Sequence, residues 1–99
     1  MMINTNNTIT TTAGTAFEQR FQAAPSAGYC WSVDSLPAEV QFIGKSHIPS
    51  ERNAPGDPAT VVFRFKALSV GTFVLRFLYK RPWEKLGNTF EVVVRVLPV

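Results

Sequence analysis

The side chains with the greatest chemical reactivity in this sequence are its single cysteine, Cys30, and its single histidine, His47. With Asp34 they supply the residue types of a nucleophile, a base and an acid that orients the base. The sequence argues against such a triad. Cys30 falls inside an apparent β-strand rather than at an exposed turn, and so short a chain offers no obvious oxyanion hole or substrate cleft. We therefore predict that the protein is not an enzyme and has no catalytic residue.

Cys30 and His47 are also the residues to consider as ligands of a metal or cofactor. A single cysteine cannot form an intrachain disulfide or a thiol-rich metal cluster. We expect Cys30 to be a small, buried or half-buried thiol, with no neighbouring cation or base to activate it. His47 lies in an interval between predicted strands, where a histidine is usually solvated. The sequence thus predicts no metal site and no cofactor.

A different kind of chemistry is indicated by Arg81-Pro82-Trp83, which lies between two strong strand patterns. Tryptophan and arginine are the residues that most often dominate the energy of protein interfaces. Proline at the centre fixes one backbone angle and stiffens the segment. Taken alone, the triplet leaves two interpretations open, because Trp83 could equally pack against Pro82 or Leu86 and close one end of the fold.

The charge distribution limits the possible partners. The chain has 10 Lys and Arg against 7 Asp and Glu, a formal net charge of +3. These basic residues are scattered along the sequence, whereas nucleic-acid-binding proteins usually cluster them in a stripe. Only Lys80, Arg81 and Lys85 fall close together, and they could steer the protein toward an acidic partner surface. We predict no nucleic-acid partner.

The elements that must position these residues are strands, because apolar residues recur with a period of two. The pattern is clearest over 60–67, 72–80 and 89–97, and weaker strands are predicted over 8–12, 15–22, 29–33 and 39–43. The predicted core faces of the three strong strands are Val61, Phe63, Phe65 and Ala67; Phe73, Leu75, Phe77 and Tyr79; and Phe90, Val92, Val94 and Val96.

Seven or eight short strands separated by glycine and proline predict an all-β protein, an immunoglobulin-like β-sandwich of two antiparallel sheets. In such a fold, Trp31 on the third strand is expected to fill the core. The 99 residues form a single domain, 1–99, with 1–7 flexible, and a one-turn helix near the middle is possible. The long intervals 24–28, 46–59 and 81–87 join alternate strand pairs, so we expect them to gather at one end.

The amino-terminal segment is polar and lacks the basic and apolar regions of a signal peptide. No run of apolar residues approaches the length of a membrane span. We expect a soluble protein with no membrane partner, either cytoplasmic or exported with its signal removed.

With these elements in place, the sequence resembles the chagasin family of cysteine protease inhibitors. Three segments carry the resemblance in order: Ala24-Pro25-Ser26-Ala27-Gly28-Tyr29 followed by Trp31, Asn53-Ala54-Pro55-Gly56-Asp57, and Tyr79-Lys80-Arg81-Pro82-Trp83-Glu84. The third segment matches the family pattern intact. The first departs from it, because the family has Asn at position 24 and Thr at positions 26 and 27. The second has one glycine where the family tends to have several.

The resemblance implies a reversible, tight-binding inhibitor of papain-like (clan CA) cysteine proteases, which fills the active-site cleft with three loops from one end of the sandwich. The implied partners are papain, cathepsin L-like and cathepsin B-like enzymes, and a monomer suffices. The implied protease-binding residues are Pro25, Ser26, Ala27, Gly28, Tyr29, Asn53, Ala54, Pro55, Gly56, Arg81, Pro82 and Trp83. The alternative from another class is an Ig-like adhesion or structural binding module that inhibits no protease.

Overall fold

The computed structural model describes residues 7–23, 28–50 and 58–99. In these residues the secondary structure consists of β-strands joined by turns and irregular segments. The strands are β1 (Thr8–Thr12), β2 (Ala16–Ala23), β3 (Cys30–Ser35), β4 (Val40–Ile48), β5 (Ala59–Ala67), β6 (Gly71–Lys80) and β7 (Asn88–Leu97). They form one sheet of four strands and one of three. The predicted all-β sandwich is confirmed.

The order of strands follows from how the chain alternates between the two sheets. The four-stranded sheet has the order β1-β7-β6-β3 and the three-stranded sheet the order β2-β5-β4. Four of the pairings are antiparallel, as predicted. The pairing of β1 with β7 is parallel, which corrects the expectation of purely antiparallel sheets. A parallel neighbour needs a long connection, and here the remaining strands supply it, because β1 and β7 are the first and last strands.

The core lies between the sheets and is built from the strand faces that the period-two pattern predicted. Its largest fully buried side chains include Phe63, Phe65, Leu75 and Phe77, each at most 1% exposed. The side chains of Phe17 and Phe21 on β2 pack against them, with Phe17 stacked on Phe65 at 5.5 Å between ring centroids. Burial of this apolar surface is the main force that holds the two sheets together.

Two details of the strands differ from the sequence prediction. The period-two pattern that places Val61 and Phe63 in the core puts Val62 on the opposite face of β5, yet the side chain of Val62 is fully buried. Because β5 is the central strand of its sheet, Val62 is flanked on that face by Arg20 and Ser46, its register partners on the two neighbouring strands. In addition, β4 continues to Ile48, beyond its predicted end at residue 43, because β5 offers pairing partners along its whole length.

Exposed ion pairs lie on the outer faces of the two sheets. Glu18 on β2 receives hydrogen bonds from Arg20 at 3.1 Å and from Arg64 on the neighbouring strand at 3.0 Å. The hydrogen bond from Arg20, together with the charges of both arginines and the hydrogen bond from Arg64, holds the pKa of the Glu18 carboxyl below its usual value, although desolvation acts in the opposite direction. Arg76 and Glu91 form a similar pair at 2.8 Å, which raises the pKa of Arg76. Such exposed pairs contribute little to stability individually.

Over the three described ranges, no helix has the length and apolar character that a bilayer crossing requires. Residues 1–7 were predicted to be flexible. Of these, residues 1–6 lie outside the described ranges.

Candidate functional site

The strand registers bring the ends of β2, β4 and β6 to the same end of the sandwich. Ala23 at the end of β2 pairs with Ala59 at the start of β5, and Ile48 at the end of β4 pairs with Thr60. In the other sheet, Lys80 at the end of β6 pairs with Cys30. The indole N–H of Trp31 donates to the carbonyl of Gln22 at 3.0 Å and so joins the two sheets there. The intervals that follow β2, β4 and β6 all begin at this end.

A tight turn follows β6 and contains Arg81-Pro82-Trp83. Its ends are joined by a backbone hydrogen bond from the N–H of Glu84 to the carbonyl of Arg81, at 3.0 Å. The carboxylate of Glu84 in turn accepts the N–H of Arg81, also at 3.0 Å. The ammonium of Lys80 donates to the carbonyl of Glu84 at 2.7 Å. Three hydrogen bonds therefore fix the triplet in one conformation, with Pro82 at the corner, where its fixed φ favours a turn.

The side chain of Trp83 projects from this turn into solvent and lies against Gly28. Its side chain is 71% exposed. Gly28 has a φ of +84°, and a β-carbon built on it would lie 3.0 Å from the Cη2 atom of Trp83 and 3.9 Å from the Cγ atom of Arg81. The ring thus occupies the space that a side chain at position 28 would need. Leu86 is 87% exposed, so Trp83 does not close the sandwich end by packing against it.

Four aromatic rings form a continuous stack that leads from the core to this end. Phe21 stacks on Trp31 with ring centroids 3.9 Å apart, Trp31 on Tyr79 at 4.5 Å, and Tyr79 on Tyr29 at 5.0 Å, with interplanar angles of 29° or less. We call Phe21, Trp31, Tyr79 and Tyr29, in that order, the aromatic column. Phe21 is buried, whereas the other three are partly buried. Trp31 packs against the core as predicted, and Tyr29 stacks on Tyr79.

Arg81 caps the aromatic column. The Cζ atom of its guanidinium lies 4.6 Å from the ring centroid of Tyr29 and 5.9 Å from that of Trp83. Both distances are within the range of a cation–π interaction. A guanidinium is planar and can stack on aromatic faces, while its N–H groups point outward along its edge. Arg81 therefore contacts Tyr29 beside the first predicted loop and Trp83 in the third.

The return of the chain to β7 requires Gly87. A β-carbon at this position would lie 2.7 Å from the carbonyl oxygen of Tyr79 and closer still to the Cβ atom of Lys80. No side chain fits there without displacing backbone. Gly87 thus lets residues 81–87 fold back over the end of β6.

The environments of Cys30 and His47 differ from the sequence expectations. Cys30 is exposed rather than buried, because Trp31 and Val33 take the inward positions of β3 and Cys30 points outward. His47 lies on β4 and not in a loop, and its side chain is exposed. Both line a cavity of about 230 Å³ that Lys45 also borders. Within the part of the chain that the structure describes, no three or more His, Cys, Asp or Glu side chains are grouped to hold a metal ion.

Of the residues predicted to bind a protease, Gly28, Tyr29, Arg81, Pro82 and Trp83 are described, and they lie together at one end of the sandwich. The others lie outside the described residues: Pro25, Ser26, Ala27, Asn53, Ala54, Pro55 and Gly56.

Three residues that shape the site were given no role there by the sequence. Glu84 and Tyr79 lie within the segment that carries the resemblance, but Glu84 was assigned no function and Tyr79 was assigned only to the core. Gly87 was noted only as the end of an interval. A glutamate three residues after Arg81, in the position to bond back to the turn, was the available signal for Glu84.

Comparison with known proteins gives the family. The chain matches the Chagasin family peptidase inhibitor I42 over residues 10–96. Amoebiasin-2 of Entamoeba histolytica is 32% identical over 79 residues, which cover 72% of this chain and 63% of Amoebiasin-2. Amoebiasin-1 of the same organism is 30% identical over 98 residues, which cover 94% of this chain and 93% of Amoebiasin-1. The chain thus spans less than two thirds of Amoebiasin-2 but nearly all of Amoebiasin-1.

Solved structures agree on the fold. The crystal structure of the cysteine protease inhibitor EhICP2 from Entamoeba histolytica has a TM-score of 0.72 and 20% identity, covering 96% of this chain and 93% of EhICP2. The solution structure of Amebosin has a TM-score of 0.72 and 24% identity, covering 93% of this chain and 90% of Amebosin. The family match extends over nearly the whole sandwich, including β3, the end of β6 and the turn that presents Trp83. This chain therefore belongs to the chagasin family of peptidase inhibitors, whose members inhibit cysteine proteases and are not enzymes.

Proposed function

We propose that this chagasin-family protein inhibits papain-like cysteine proteases reversibly and tightly, by filling the active-site cleft with three loops from one end of the sandwich. The proposed targets are papain, cathepsin L-like and cathepsin B-like enzymes, bound by the monomer. Family membership supports the kind of partner. The loops are those that follow β2, β4 and β6, and the strand registers support their common position.

The observation that carries the proposal is that Trp83 is 71% exposed and yet held in contact with Gly28. An exposed side chain of this size offers a large contact area to a partner. Because the turn is already fixed by hydrogen bonds, little conformational entropy remains to be lost when the protein binds. These are the properties of an anchor residue at an interface.

In the proposed complex, Trp83 stacks on an aromatic surface on the primed side of the cleft. Arg81 lies beside it and donates charge-assisted hydrogen bonds from the edge of its guanidinium. Its guanidinium lies near the rings of Tyr29 and Trp83, at the same end of the sandwich as the proposed contact. Lys80 and Lys85 add positive charge near the turn, which favours encounter with an acidic protease surface.

The first loop is proposed to enter the catalytic centre with residues Pro25 to Gly28. Ser26 contributes a hydroxyl hydrogen bond, and the backbone contributes further donors and acceptors. The loop is anchored by strands β2 and β3, which are joined by the bond from Trp31 to Gln22. The proposed mechanism is that the sandwich keeps this loop from presenting a peptide carbonyl for attack, so that the block is steric and no bond is cleaved. Asn53, Ala54, Pro55 and Gly56 of the middle loop complete the proposed contact.

The alternative, an Ig-like adhesion or structural module, makes a different prediction for one experiment. The protein is titrated against papain, cathepsin L and cathepsin B while a fluorogenic peptide substrate is hydrolysed. Inhibition that is complete, reversible on dilution and stoichiometric at high enzyme concentration supports the proposal. The absence of inhibition at micromolar protein for all three enzymes contradicts it and favours the alternative. A heat-denatured sample of the same protein serves as the control for competition by an unfolded substrate.

A further inference from the structure

The position of Trp83 poses a physical problem, because the ring is mostly exposed and the core does not hold it. A long exposed side chain normally samples several rotamers, and fixing it on binding costs about 0.5–1.5 kcal/mol. Two of the described residues that lie close to Trp83 are Gly28 and Arg81. Gly28 supplies only backbone, whereas Arg81 places its guanidinium 5.9 Å from the ring centroid and so provides a side chain that can restrain the ring.

Arg81 is restrained in turn by the aromatic column. Its guanidinium lies over Tyr29, and Tyr29 lies on Tyr79. Tyr79 is the central member, because it stacks on both Tyr29 and Trp31. Trp31 is fixed by its stacking on Phe21 and by its hydrogen bond to Gln22. A continuous series of stacking and cation–π contacts therefore leads from the buried Phe21 through Arg81 to the exposed Trp83.

The series also connects two of the loops. Tyr29 follows Gly28 directly at the end of the first loop, whereas Arg81 and Trp83 belong to the third. Arg81 contacts the rings of Tyr29 and Trp83, and Trp83 lies over Gly28. A displacement of Tyr79 would remove the support beneath Tyr29 and Arg81 together.

We propose that Tyr79 and Arg81 are positioning residues that hold Trp83 and Tyr29 as one rigid unit before any partner binds. This inference rests on the proposed function in so far as it explains how the inhibitor presents its anchor. Tyr79 acts from beneath the surface, through Tyr29 and Arg81. Arg81 acts through the faces of its guanidinium, a role that lysine cannot take because its ammonium is not planar.

The first test measures the mobility of Trp83 and requires no protease. The chain has two tryptophans, so a ¹⁵N spectrum contains two indole N–H signals, which Trp83→Phe assigns. In the parent, the heteronuclear NOE of the Trp83 indole should approach that of the strand backbone. The NOE of the Trp83 indole should fall in Arg81→Lys and in Tyr79→Leu. The NOE of the Trp31 indole should stay high in Arg81→Lys. Arg95→Lys, on the exposed face of β7, is the matched control and should change neither signal. An unchanged NOE for Trp83 in both Arg81→Lys and Tyr79→Leu overturns the proposal.

The second test separates positioning from direct contact by a double-mutant cycle. Arg81→Lys keeps the charge, and we expect it to raise the inhibition constant by about two- to fivefold, the size of an exposed cation–π interaction. In a Trp83→Ala background the same change should have a smaller effect, because the ring of Trp83 no longer has to be held and only the other contacts of the guanidinium are lost. If Arg81→Lys weakens inhibition equally in both backgrounds, Arg81 acts by contacting the protease and the positioning role is wrong.

The two tests fail in different ways. If the parent inhibits none of the three proteases but Trp83 loses order in Arg81→Lys and Tyr79→Leu, the positioning role stands and the proposed function falls. If the parent inhibits and Trp83 is equally ordered in every folded variant, the positioning role falls alone. Thermal unfolding of Tyr79→Leu shows whether that variant is folded, and Arg81→Lys, at a partly exposed position, keeps the test valid if it is not.

Discussion

The ring of Trp83 lies against the backbone of Gly28, where a β-carbon would come within 3.0 Å of its Cη2 atom. These two residues are 55 positions apart in the sequence and belong to the loops that follow β2 and β6. Position 28 is therefore constrained twice, once by its φ of +84° and once by the tryptophan above it. The two constraints make this glycine the point at which the conformations of the two loops become interdependent.

Gly28→Ala should therefore disturb both loops. The left-handed conformation costs a residue with a β-carbon roughly 1–2 kcal/mol, and the new methyl group must displace Trp83. We expect the free energy of unfolding to fall by about that amount and inhibition to weaken. Urea denaturation and protease titration measure the two effects. Gly44→Ala is the matched control, since nothing lies within 4 Å of a β-carbon there and its φ is not in the left-handed region. Equal effects of the two substitutions would contradict the prediction.

Trp83→Ala should weaken inhibition strongly without destabilising the fold. If Trp83 is the anchor, its truncation should raise the inhibition constant by about 30- to 1000-fold, equivalent to roughly 2–4 kcal/mol. The melting temperature should hardly change, because the side chain is 71% exposed. Leu86→Ala provides the control, as Leu86 lies in the same loop and is 87% exposed. An unchanged inhibition constant for Trp83→Ala would remove Trp83 from the binding surface.

Glu84 offers a test of the turn itself. Its carboxylate accepts the backbone N–H of Arg81, and Glu84→Ala removes that acceptor. Loss of one such hydrogen bond should cost about 0.5–1.5 kcal/mol, or a two- to tenfold rise in the inhibition constant. Glu84→Gln keeps an amide oxygen in the same place and should restore most of the affinity. If Glu84→Gln and Glu84→Ala raise the inhibition constant equally, the negative charge of Glu84 matters and its hydrogen bond to the turn does not.

Cys30 should be dispensable for inhibition. Because it is exposed, the folded protein should react with one equivalent of a thiol-specific chromogenic reagent. Cys30→Ala should abolish this reaction and leave the inhibition constant unchanged. A catalytic role would instead require an activity of the protein that Cys30→Ala eliminates, and the same protease and substrate assays would detect it.

The fold was largely predictable because its strands have one face in the core and one in solvent. Phe63, Phe65, Leu75 and Phe77 could be assigned to the core from alternation alone, and all four are fully buried. The parallel pairing of β1 with β7 was not predictable, since five β-branched residues carry no information about the direction of a neighbouring strand. Neither was the burial of Val62, which depends on its position in a central strand.

The sequence indicated candidate residues for the site but not their arrangement. The types of Arg81 and Trp83 indicated an interface, and the family resemblance added Gly28 and Tyr29. The stacking of Tyr79 between Tyr29 and Trp31 depends on the register of β3 with β6, in which Trp31 lies opposite Tyr79. No pattern within a single strand specifies that register, because it is set by long-range pairing.

The last prediction concerns acid stability and the ion pairs of Glu18. Hydrogen bonding from Arg20, with the charges of Arg20 and Arg64, lowers the pKa of Glu18 below its ordinary value of 4.5. A carboxyl whose pKa is lower in the folded than in the unfolded state stabilises the fold above the unfolded value, and this contribution is lost as the pH falls through the folded one. Glu18→Gln should therefore be less stable than the parent at pH 7, and the two should converge as the pH falls below about 4.5.

Urea denaturation at a series of pH values measures this convergence. The same comparison in an Arg20→Gln background is the control, because it removes the hydrogen bond that contributes most to the lowered pKa of Glu18. In that background, the difference in the free energy of unfolding between Glu18 and Glu18→Gln should be smaller at pH 7 and should vary less with pH. High salt should also reduce the difference, since both partners are exposed and their attraction is screened. A difference that persists unchanged at pH 3 would mean that Glu18 stabilises β2 by packing and not by its charge.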